Sequence, residues 1–229
     1  MTEKQLQKLR EKEEKARIKL EKERARILQM KKFEMYYSNL GYDIICGIDE
    51  AGRGPLAGPV CASAVILPKD EEILYLNDSK KLSEKKRDEL FDVIKEKAVS
   101  IGTGLVDAER IDDINILQAT YEAMRKAVNM LDPMPDILLN DAVRIPEVNI
   151  HQVPIVKGDA KSVTIAAASI IAKVTRDRLM AEYDEKYPEY GFARHKGYGT
   201  AAHIEAIRKY GPCPIHRMTF ISKFVMGDR

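Results

Sequence analysis

The sequence predicts an α/β domain with a mixed sheet flanked by helices, a helical arm at the N-terminus and a helical region at the C-terminus. Two observations support this fold class. Short apolar runs rich in β-branched residues alternate along the chain with longer segments whose apolar residues recur at helical spacing. In addition, 45% of the 229 residues are hydrophobic, which is enough for one large domain or for a domain with an appendage. Strands and helices in this order are typical of α/β proteins.

The first 32 residues are predicted to form a separate domain, a basic helical arm. They contain twelve basic and six acidic residues, whereas residues 33–229 contain 26 basic and 30 acidic residues. A stripe of apolar residues supports a helix, although Glu13 and Glu23 interrupt it and make it a poor coiled coil. The stripe consists of Leu6, Leu9, Ala16, Leu20, Ile27 and Met30. The arm is either a solvated surface helix or a segment that follows a phosphate backbone, and its charge suggests a polyanionic partner.

Five apolar runs are predicted strands, and three longer segments are predicted helices. The strands cover residues 42–48, 59–67, 100–106, 137–139 and 153–156. The helices run from 83 to about 97, from 112 to about 131 and from 162 to about 187. Ser83 is of a residue type that caps helices, so we expect the first of these helices to begin there. The third helix starts with small and apolar residues on nearly all sides, which predicts burial against the sheet.

Four carboxylates lie at or just beyond the ends of predicted strands, where a folded sheet can gather them at one edge. They are Asp49, Glu50, Asp141 and Asp159. Two carboxylates about 4 Å apart repel by roughly 4 kcal/mol at an effective dielectric constant of 20, so a cluster of four is expected to protonate in part or to hold a divalent cation. Magnesium is the natural occupant, because it prefers oxygen ligands and often shares them with a substrate phosphate.

These acids also have a purely structural interpretation, since each one taken singly is a common turn or cap residue. There is a stereochemical condition as well. Adjacent residues on a regular strand point to opposite faces, so Asp49 and Glu50 reach one site only if the strand breaks there. Gly52 follows closely and permits such a break. We therefore expect the strand to end at these two acids.

The cysteines and histidines do not form a zinc-binding pattern. Cys46, Cys61 and Cys213 make no CxxC pair, and the four histidines show no metal-ligand spacing. Reduced thiols are typical of the cytoplasm. The N-terminus is charged, and no apolar run approaches the roughly 20 residues of a membrane span, so neither secretion nor membrane insertion is predicted. We expect a cytoplasmic protein, with a monomer as the default.

Several blocks of the sequence resemble the motifs of the bacterial ribonuclease HII family, in that family's order and over residues 42 to about 220. The longest block is GIDEAGRGPLAGP at 47–59. The others are DSKKLS at 78–83, KGD at 157–159, AAASIIAKVTRD at 166–177 and HKGYGT at 195–200. The resemblance implies an RNase H-like catalytic domain over residues 33–229. It also implies an endonuclease for RNA–DNA hybrids and ribonucleotide-containing duplex DNA that leaves a 3′-hydroxyl and a 5′-phosphate.

The resemblance further implies roles for nine residues. The four carboxylates match the family's metal-binding residues. The resemblance implies that they bind Mg²⁺ or Mn²⁺ for two-metal-ion hydrolysis. Gly52, Arg53 and Gly54 match a loop that senses the 2′-hydroxyl, the group that tells RNA from DNA. Tyr198 matches a tyrosine that stacks on the neighbouring deoxyribose at the RNA–DNA junction. Lys80 matches a lysine that reaches a phosphate near the cut.

One position departs from the family pattern, and two other classes of function stay open. Asn140 stands before the third acid where the family has an apolar residue, and it either offers another ligand or faces the other side of the strand. A structure-selective DNA nuclease would cut substrates that lack a 2′-hydroxyl, which the Gly-Arg-Gly loop argues against. A non-cutting nucleic-acid binding module would need no divalent metal, which the four acids argue against.

Overall fold

The computed structural model describes residues 3–225, so residues 1–2 of the predicted arm and 226–229 of the predicted catalytic domain lie outside the described part. The strands are β1 (Ile45–Ala51), β2 (Val60–Ile66), β3 (Ser100–Val106), β4 (Ile137–Asp141) and β5 (His151–Ile155). The helices are α1 (Glu3–Met30), α2 (Lys32–Asn39), α3 (Glu84–Lys97), α4 (Ala108–Asn129), α5 (Val163–Lys186), α6 (Phe192–His195), α7 (Ala201–Tyr210) and α8 (Met218–Val225).

The strands form one mixed sheet in the order β3-β2-β1-β4-β5. Strands β1, β4 and β5 run parallel to one another, while β2 is antiparallel to both β1 and β3. Ile48 on β1 is level with Asn140 on β4. Because side chains alternate along a strand, Asp49 and Asp141 both point to the opposite face of the sheet from Ile48 and Asn140. The carboxyl ends of two neighbouring parallel strands therefore bring two acids together.

Each face of the sheet is covered by helices. Helix α4 packs on one face, where a core cluster includes Ile48, Leu138 and Met124. Helices α5, α3 and the end of α1 cover the other face in a second cluster around Val65 and Ile170. The small residues at the start of α5 are fully buried, as its apolar composition predicts. Burial of both faces explains why the central strands read as continuous apolar runs.

Helix α5 approaches β1 most closely at Gly47. A Cβ atom built on Gly47 would lie 2.1 Å from the carbonyl carbon of Thr164, a separation that real contacts do not show. Only glycine therefore permits this packing of helix against strand. One consequence reaches the site, because the close approach brings the Ser169 hydroxyl on α5 near Asp49 on β1, where it acts to lower the pKa of that carboxyl group.

Most predicted elements are confirmed, with differences that have local causes. The Ser83 hydroxyl accepts a hydrogen bond from the N–H of Lys86, so this residue caps α3 as expected. Helix α4 begins four residues before its predicted start. Asp107 caps this early segment, and at Asn115 the backbone leaves the helical region (φ 66°, ψ 163°) before the helix resumes. The predicted helix corresponds to the part around and after this kink.

Helix α1 projects from the body over most of its length and is anchored only near its end. Ile27 and Met30 are 2% and 4% exposed and belong to the core cluster shared by α3 and α5. In α2, the carboxylate of Glu34 accepts hydrogen bonds from the Ser162 hydroxyl and from the N–H and hydroxyl of Thr164. The division of the chain at residue 32 stays a prediction, but the last turns of the arm contribute to the main core.

The C-terminal region is helical, as predicted, and has a small core of its own. Phe192, Ile207 and Ile221 are fully buried there together with Met180 from the end of α5. This core packs against the segment that follows β1, since Ala57 belongs to the same cluster. Among residues 3–225, no helix combines the length and the hydropathy that a membrane span requires.

Candidate active site

Three of the four predicted metal-binding carboxylates lie together at the carboxyl edge of β1 and β4. Asp49, Asp141 and Asp159 each offer an oxygen, and these oxygens lie within 4.8 Å of one another. Asp159 lies in the 3₁₀ turn Gly158–Ala160. The N–H of Gly158 donates to Asp141 Oδ1 at 2.7 Å, which ties this turn to the end of β4. Asp49 is 5% exposed and Asp159 is 7% exposed, so the cluster is largely withdrawn from water.

Glu50 lies beside this cluster but is not part of it. Strand β1 continues through Ala51, which is paired with Cys61, so the break expected at Asp49 and Glu50 is wrong. Regular pairing with β2 maintains the alternation of side chains, and Glu50 therefore points to the other face of the sheet from Asp49. Its carboxylate lies 3.4 Å from Arg53 Nη1. The role of Glu50 as a metal ligand stays a prediction.

The carboxylates disfavour one another's ionised forms. Burial raises the pKa of Asp49 well above its ordinary value, and the negative charges of Glu50 and Asp141 raise it further. Burial also raises the pKa of Glu50 and of Asp159 above the ordinary values. A bound cation would remove this penalty, because it favours the ionised form of every carboxylate around it. Oxygen donors of this type are those that Mg²⁺ and Mn²⁺ prefer, so the donor set fits a divalent cation.

Lys80 is a positive charge that interacts with the clustered acids. Burial alone would lower the pKa of its ammonium group, but Asp49, Asp78, Asp159 and Asp141 raise the pKa above its ordinary value. Asp78 places this lysine, because its Oδ1 accepts the N–H of Lys80 at 2.9 Å and caps the 3₁₀ turn that follows. Asp78 also acts on the cluster directly. Burial is the main cause of the raised pKa of Asp159, and the negative charge of Asp78 is the next largest. Lys80 is thus held beside the acids.

The glycine loop after β1 requires glycine at Gly52. Its φ of +93° lies in the left-handed region, and a Cβ would lie 2.1 Å from Arg176 Nε and 2.8 Å from the Pro59 carbonyl oxygen. Gly54 is different, because a Cβ there would meet only the Tyr198 ring, at 3.8 Å. The loop is therefore packed tightly against the body at Gly52 and is open toward Tyr198 at Gly54.

Arg217, which is fully buried, fixes the loop from behind. Its guanidinium donates to the carbonyl oxygens of Arg53 at 2.9 Å, Gly52 at 2.6 Å and Gly58 at 2.8 Å. Burial and, to a smaller extent, the charge of nearby Arg176 lower the pKa of Arg217 to about 9. A planar fork of donors can satisfy several carbonyls at once, which a lysine cannot do.

Arg176 on α5 holds the outer part of the same loop. It is 1% exposed and donates to the carbonyl oxygens of Pro59 at 2.9 Å, Ala57 at 3.0 Å and Lys196 at 2.9 Å. It therefore connects the segment after β1 to the segment that carries Tyr198. Burial lowers the pKa of Arg176 below its ordinary value. The two arginines share one task, which is to satisfy buried carbonyls of an irregular loop.

A chain of hydrogen bonds between neutral histidines ends at the backbone of Tyr198. The N–H of Cys213 donates to His216 Nδ1 at 2.9 Å, which leaves the proton of His216 on Nε2. His216 Nε2 lies 3.1 Å from His203 Nε2, and His203 Nδ1 lies 2.9 Å from the Tyr198 carbonyl oxygen. Each nitrogen has a consistent donor or acceptor role when both rings are neutral. His195 stacks on His203 with a centroid distance of 4.4 Å.

Six of the nine predicted site residues line one cavity of about 570 Å³. They are Glu50, Gly52, Arg53, Gly54, Lys80 and Tyr198. Ser79, Ser169, Lys173 and Arg176 also line it. The Ser79 and Ser169 hydroxyls lie 2.9 Å apart, so α5 and the turn that carries Lys80 meet at the floor of this cavity. The cavity thus joins the predicted sugar-sensing loop, the predicted phosphate-binding lysine and the predicted junction-reading tyrosine.

Sequence reasoning gave no role to Asp78, Ser169, Arg176 or Arg217. Three of them carried a signal. Asp78 precedes Lys80 in a capping position, and Ser169, Lys173 and Arg176 recur at helical spacing on an otherwise apolar helix. Arg217 carried none, because it acts on residues more than 150 positions earlier in the chain.

Comparison with known proteins identifies the family. The family model for ribonuclease HII matches residues 46–223. A ribonuclease HII from Acetivibrio thermocellus is 61% identical over 219 residues, which are 96% of this chain and 86% of that protein. The ribonuclease H2 of Pyrococcus horikoshii is 29% identical with a TM-score of 0.66, and the match covers 79% of this chain and 96% of that one.

A chain of the PCNA:RNase HII complex from Archaeoglobus fulgidus is 27% identical with a TM-score of 0.68, and the match covers 81% of this chain and 97% of that one. These structural relatives confirm the predicted fold class. The region matched by the family model contains all nine predicted site residues. The chain therefore belongs to the ribonuclease HII family, whose members are ribonuclease H enzymes, endonucleases that cleave the RNA strand of RNA–DNA hybrids.

Proposed function

We propose that this enzyme incises duplex DNA on the 5′ side of single embedded ribonucleotides, leaving a 3′-hydroxyl and a 5′-phosphate, and so serves in the removal of ribonucleotides from DNA. One observation carries the proposal. The loop Gly52–Gly54, Lys80 and Tyr198 line a single cavity next to the carboxylate cluster. A site of this shape can read one sugar and its neighbour while it presents the bond between them to the acids.

Asp49, Asp141 and Asp159 are proposed to hold Mg²⁺ or Mn²⁺, with Glu50 as the predicted fourth ligand. Two such ions, when bound, would lower the pKa of an attacking water and stabilise the departing 3′-oxygen. Lys80, whose charge interacts with the same acids, would supply positive charge to the scissile phosphate. The carboxylates and the lysine together orient the phosphate without forming a covalent intermediate.

The loop is proposed to detect the 2′-hydroxyl with backbone N–H groups. The carbonyls of Gly52 and Arg53 point inward to Arg217. Both peptide bonds are trans, so the N–H groups of Arg53 and Gly54 point away from Arg217. Because glycine at position 54 adds no side chain, a ribose can approach these donors closely. Deoxyribose offers no hydroxyl at that place, which makes binding of a ribonucleotide more favourable.

Tyr198 is proposed to read the nucleotide on the other side of the cut. Its side chain is 45% exposed, and its backbone is fixed by His203. A ring that stacks on a deoxyribose would be crowded by a 2′-hydroxyl at that sugar. Substitution Tyr198→Ala should therefore reduce the preference for a single ribonucleotide over an all-RNA strand. An unchanged ratio of the two cleavage rates would contradict this role.

The proposal is tested by incision of a labelled DNA duplex with one ribonucleotide, in Mg²⁺, in Mn²⁺ and in EDTA, beside an all-DNA duplex of the same sequence. We expect metal-dependent cutting at the 5′ side of the ribonucleotide and none in the all-DNA control. Cutting of the control would favour a structure-selective DNA nuclease. Tight binding without any cutting would favour a non-cutting binding module. A monomer in the cytoplasm stays a prediction, which sedimentation and cell fractionation would test.

A further inference from the structure

The projecting part of α1 carries a continuous stripe of basic side chains. Successive members are separated by three or four residues, so all of them fall within an arc of about 80° on the helix. They are Lys4, Lys8, Lys12, Lys15, Lys19, Lys22 and Arg26. We call the first six the lysine stripe. It lies outside the region matched by the family model, which begins at residue 46.

The lysine stripe is free to bind a partner, whereas two of the arginines on the other side of α1 are paired. All six lysines are exposed, and none of them makes an ion pair or a hydrogen bond with another described residue. Arg17 and Arg24 lie on the opposite face, where they pair with Glu14 at 2.8 Å and with Glu72 at 3.2 Å. Acidic partners thus neutralise Arg17 and Arg24 on one face of the helix, while the lysine stripe on the other face stays positive.

The stripe leads toward the candidate active site. Arg26, which follows the stripe on the same face, donates to the Leu76 carbonyl oxygen at 2.7 Å, and Glu23 accepts the N–H of Tyr75 at 2.7 Å. The chain runs from Leu76 directly to Asp78 and Lys80 at the acids. The end of α1 is also fixed to the core by Ile27, so this connection is not a loose tether.

From these contacts we propose that the lysine stripe binds the phosphate backbone of the duplex that flanks the cleavage site. From Lys4 to Lys22 the stripe extends for about 27 Å at 1.5 Å per residue. One strand of duplex DNA carries a phosphate every 3.4 Å or so, and the stripe therefore matches about eight base pairs. The inference rests on the proposed function, since it assumes that a duplex occupies the active site.

The test measures equilibrium binding of a duplex of about 30 base pairs that contains one ribonucleotide, in EDTA and at several salt concentrations. Each phosphate contact contributes about 0.9 to the slope of log K against log salt. The double variant Lys8→Gln with Lys15→Gln should lower the slope by about 2. Between 50 and 200 mM salt, the parent should then lose about tenfold more affinity than the variant. Glutamine keeps the helix propensity of lysine.

The matched control is Arg10→Gln with Arg17→Gln, which removes the same charge from the opposite face of the same part of α1. The control should keep the parent's slope. Equal slopes in the lysine variant and the parent would overturn the proposal, as would an equal fall in both double variants.

Cleavage in Mg²⁺ separates this proposal from the proposed function. The lysine variant should cut the same bond as the parent at saturating substrate, because the stripe is not part of the acid cluster. If the parent fails to cut a ribonucleotide-containing duplex, the proposed function fails whatever the slopes are. If the parent cuts and the slopes of parent and lysine variant agree, only the proposal for the stripe fails.

Discussion

At Asp49, catalysis and stability make opposite demands on one side chain. The carboxylate is buried beside Glu50 and Asp141, and its pKa is raised well above the ordinary value by burial and then by these charges. An acid whose pKa is higher in the folded protein than in the unfolded chain destabilises the fold once it ionises. Near neutral pH and without a cation, ionised Asp49 therefore lowers the free energy of unfolding.

The substitution Asp49→Asn should separate these two effects. We expect the cleavage rate in Mg²⁺ to fall by more than the roughly 100-fold that loss of an outer partner of a metal site costs. In EDTA, the free energy of unfolding at pH 7 should rise, because the amide removes a buried negative charge next to two others. Urea unfolding and a single-turnover cleavage assay measure the two quantities on the same protein.

The control for this substitution is Asp43→Asn, an acid six residues earlier whose side chain is 80% exposed and pairs with Lys69. This variant should cut like the parent. An Asp49→Asn protein that keeps the parent's cleavage rate would show that Asp49 is not a metal ligand. A fall in the stability of Asp49→Asn in EDTA would show that favourable interactions of the Asp49 carboxylate outweigh its burial and its repulsion by Glu50 and Asp141.

Gly52 and Gly54 should respond differently to the same added methyl group. Gly52→Ala forces a side chain into a left-handed conformation and toward Arg176, so the free energy of unfolding should fall by about 2 kcal/mol or more. Gly54→Ala has room for its Cβ near Tyr198, so stability should stay within about 0.5 kcal/mol of the parent. Its cleavage at a single ribonucleotide should nevertheless fall, because the methyl group occupies the space proposed for the sugar.

Urea unfolding and cleavage rates of both alanine variants decide this prediction. An unstable Gly54→Ala protein would mean that the loop is packed more tightly than its distances indicate. A Gly54→Ala protein with unchanged cleavage would place the 2′-hydroxyl elsewhere in the cavity. Gly52→Ala serves as the comparison, since its loss of activity should follow from its loss of stability.

Asn140 illustrates what a single residue type in a strand can and cannot predict. Its departure from the family's apolar residue left two interpretations open, another metal ligand or the other face of the strand. The structure places it on the other face, where its amide donates to Gln152 Oε1 at 2.9 Å and to the Val143 carbonyl at 3.1 Å. Gln152 in turn bonds the backbone of Ile145. The pair orders the loop after Asp141, a task that depends on a partner twelve residues away.

At the scale of elements, the hydrogen-bonded histidines join the C-terminal region to the candidate active site. His203 lies in the first turn of α7, and His216 lies between α7 and α8. Both are buried, which lowers the pKa of each to about 4. The chain of bonds from Cys213 to Tyr198 needs both rings neutral. A proton added to His203 Nε2 would face the N–H of His216, and one added to His216 Nδ1 would face the N–H of Cys213.

Acid should therefore weaken this part of the fold. The folded pKa of each histidine is about 4 and the unfolded value is about 6.5, so the unfolded chain binds more protons between these values. Their contribution to stability is fully present above pH 6.5, declines as the pH falls and is lost below about pH 4. Each histidine can steepen the decline by at most about 1.4 kcal/mol per pH unit.

The measurement is the free energy of unfolding in urea from pH 7 to pH 4.5. The variant His203→Gln should show a shallower decline than the parent, and His151→Gln, at an exposed histidine of β5, is the matched control. Taking the difference between each variant and the parent removes the contributions of the acid cluster, which both share. Parallel curves for the parent and His203→Gln would contradict the neutral pair.

The elements themselves were largely predictable, because their signals are local. The caps Ser83 and Ser162 and the apolar runs place most strand and helix ends within about three residues. The end of β1 was not predictable in this way. Pairing with β2 carries the strand past Asp49 to Ala51, and this pairing depends on residues ten or more positions later. The hydrogen bonds from Arg217 to the carbonyls of the glycine loop could not be predicted for the same reason. A single arginine in the sequence does not indicate which carbonyl oxygens it will contact in the fold.

At the scale of the whole molecule, α1 has two parts with different physical roles. Its exposed part, from Lys4 to about Lys22, adds charge but buries little surface. Its end supplies Ile27 and Met30 to the core between α3 and α5, and Arg24 and Arg26 attach it to the segment at residues 72–76. Net charge and periodicity predicted one helix here, but they could not show where exposure ends and burial begins.

Removal of residues 2–22 should therefore leave the fold intact, whereas loss of the buried end should not. The shortened protein should keep its free energy of unfolding within about 0.5 kcal/mol, because it loses mainly exposed surface. In the full chain, Ile27→Ala should cost about 2–5 kcal/mol, since it opens a cavity among residues of α3 and α5. The control is Ile18→Ala, on the same helix at a side chain that is 41% exposed, which should change stability little. Urea unfolding of the three proteins measures all of these effects. A shortened protein that unfolds much more readily than the parent would show that residues 2–22 also stabilise the rest of the fold. An Ile27→Ala protein as stable as the parent would show that the end of α1 does not contribute to the core.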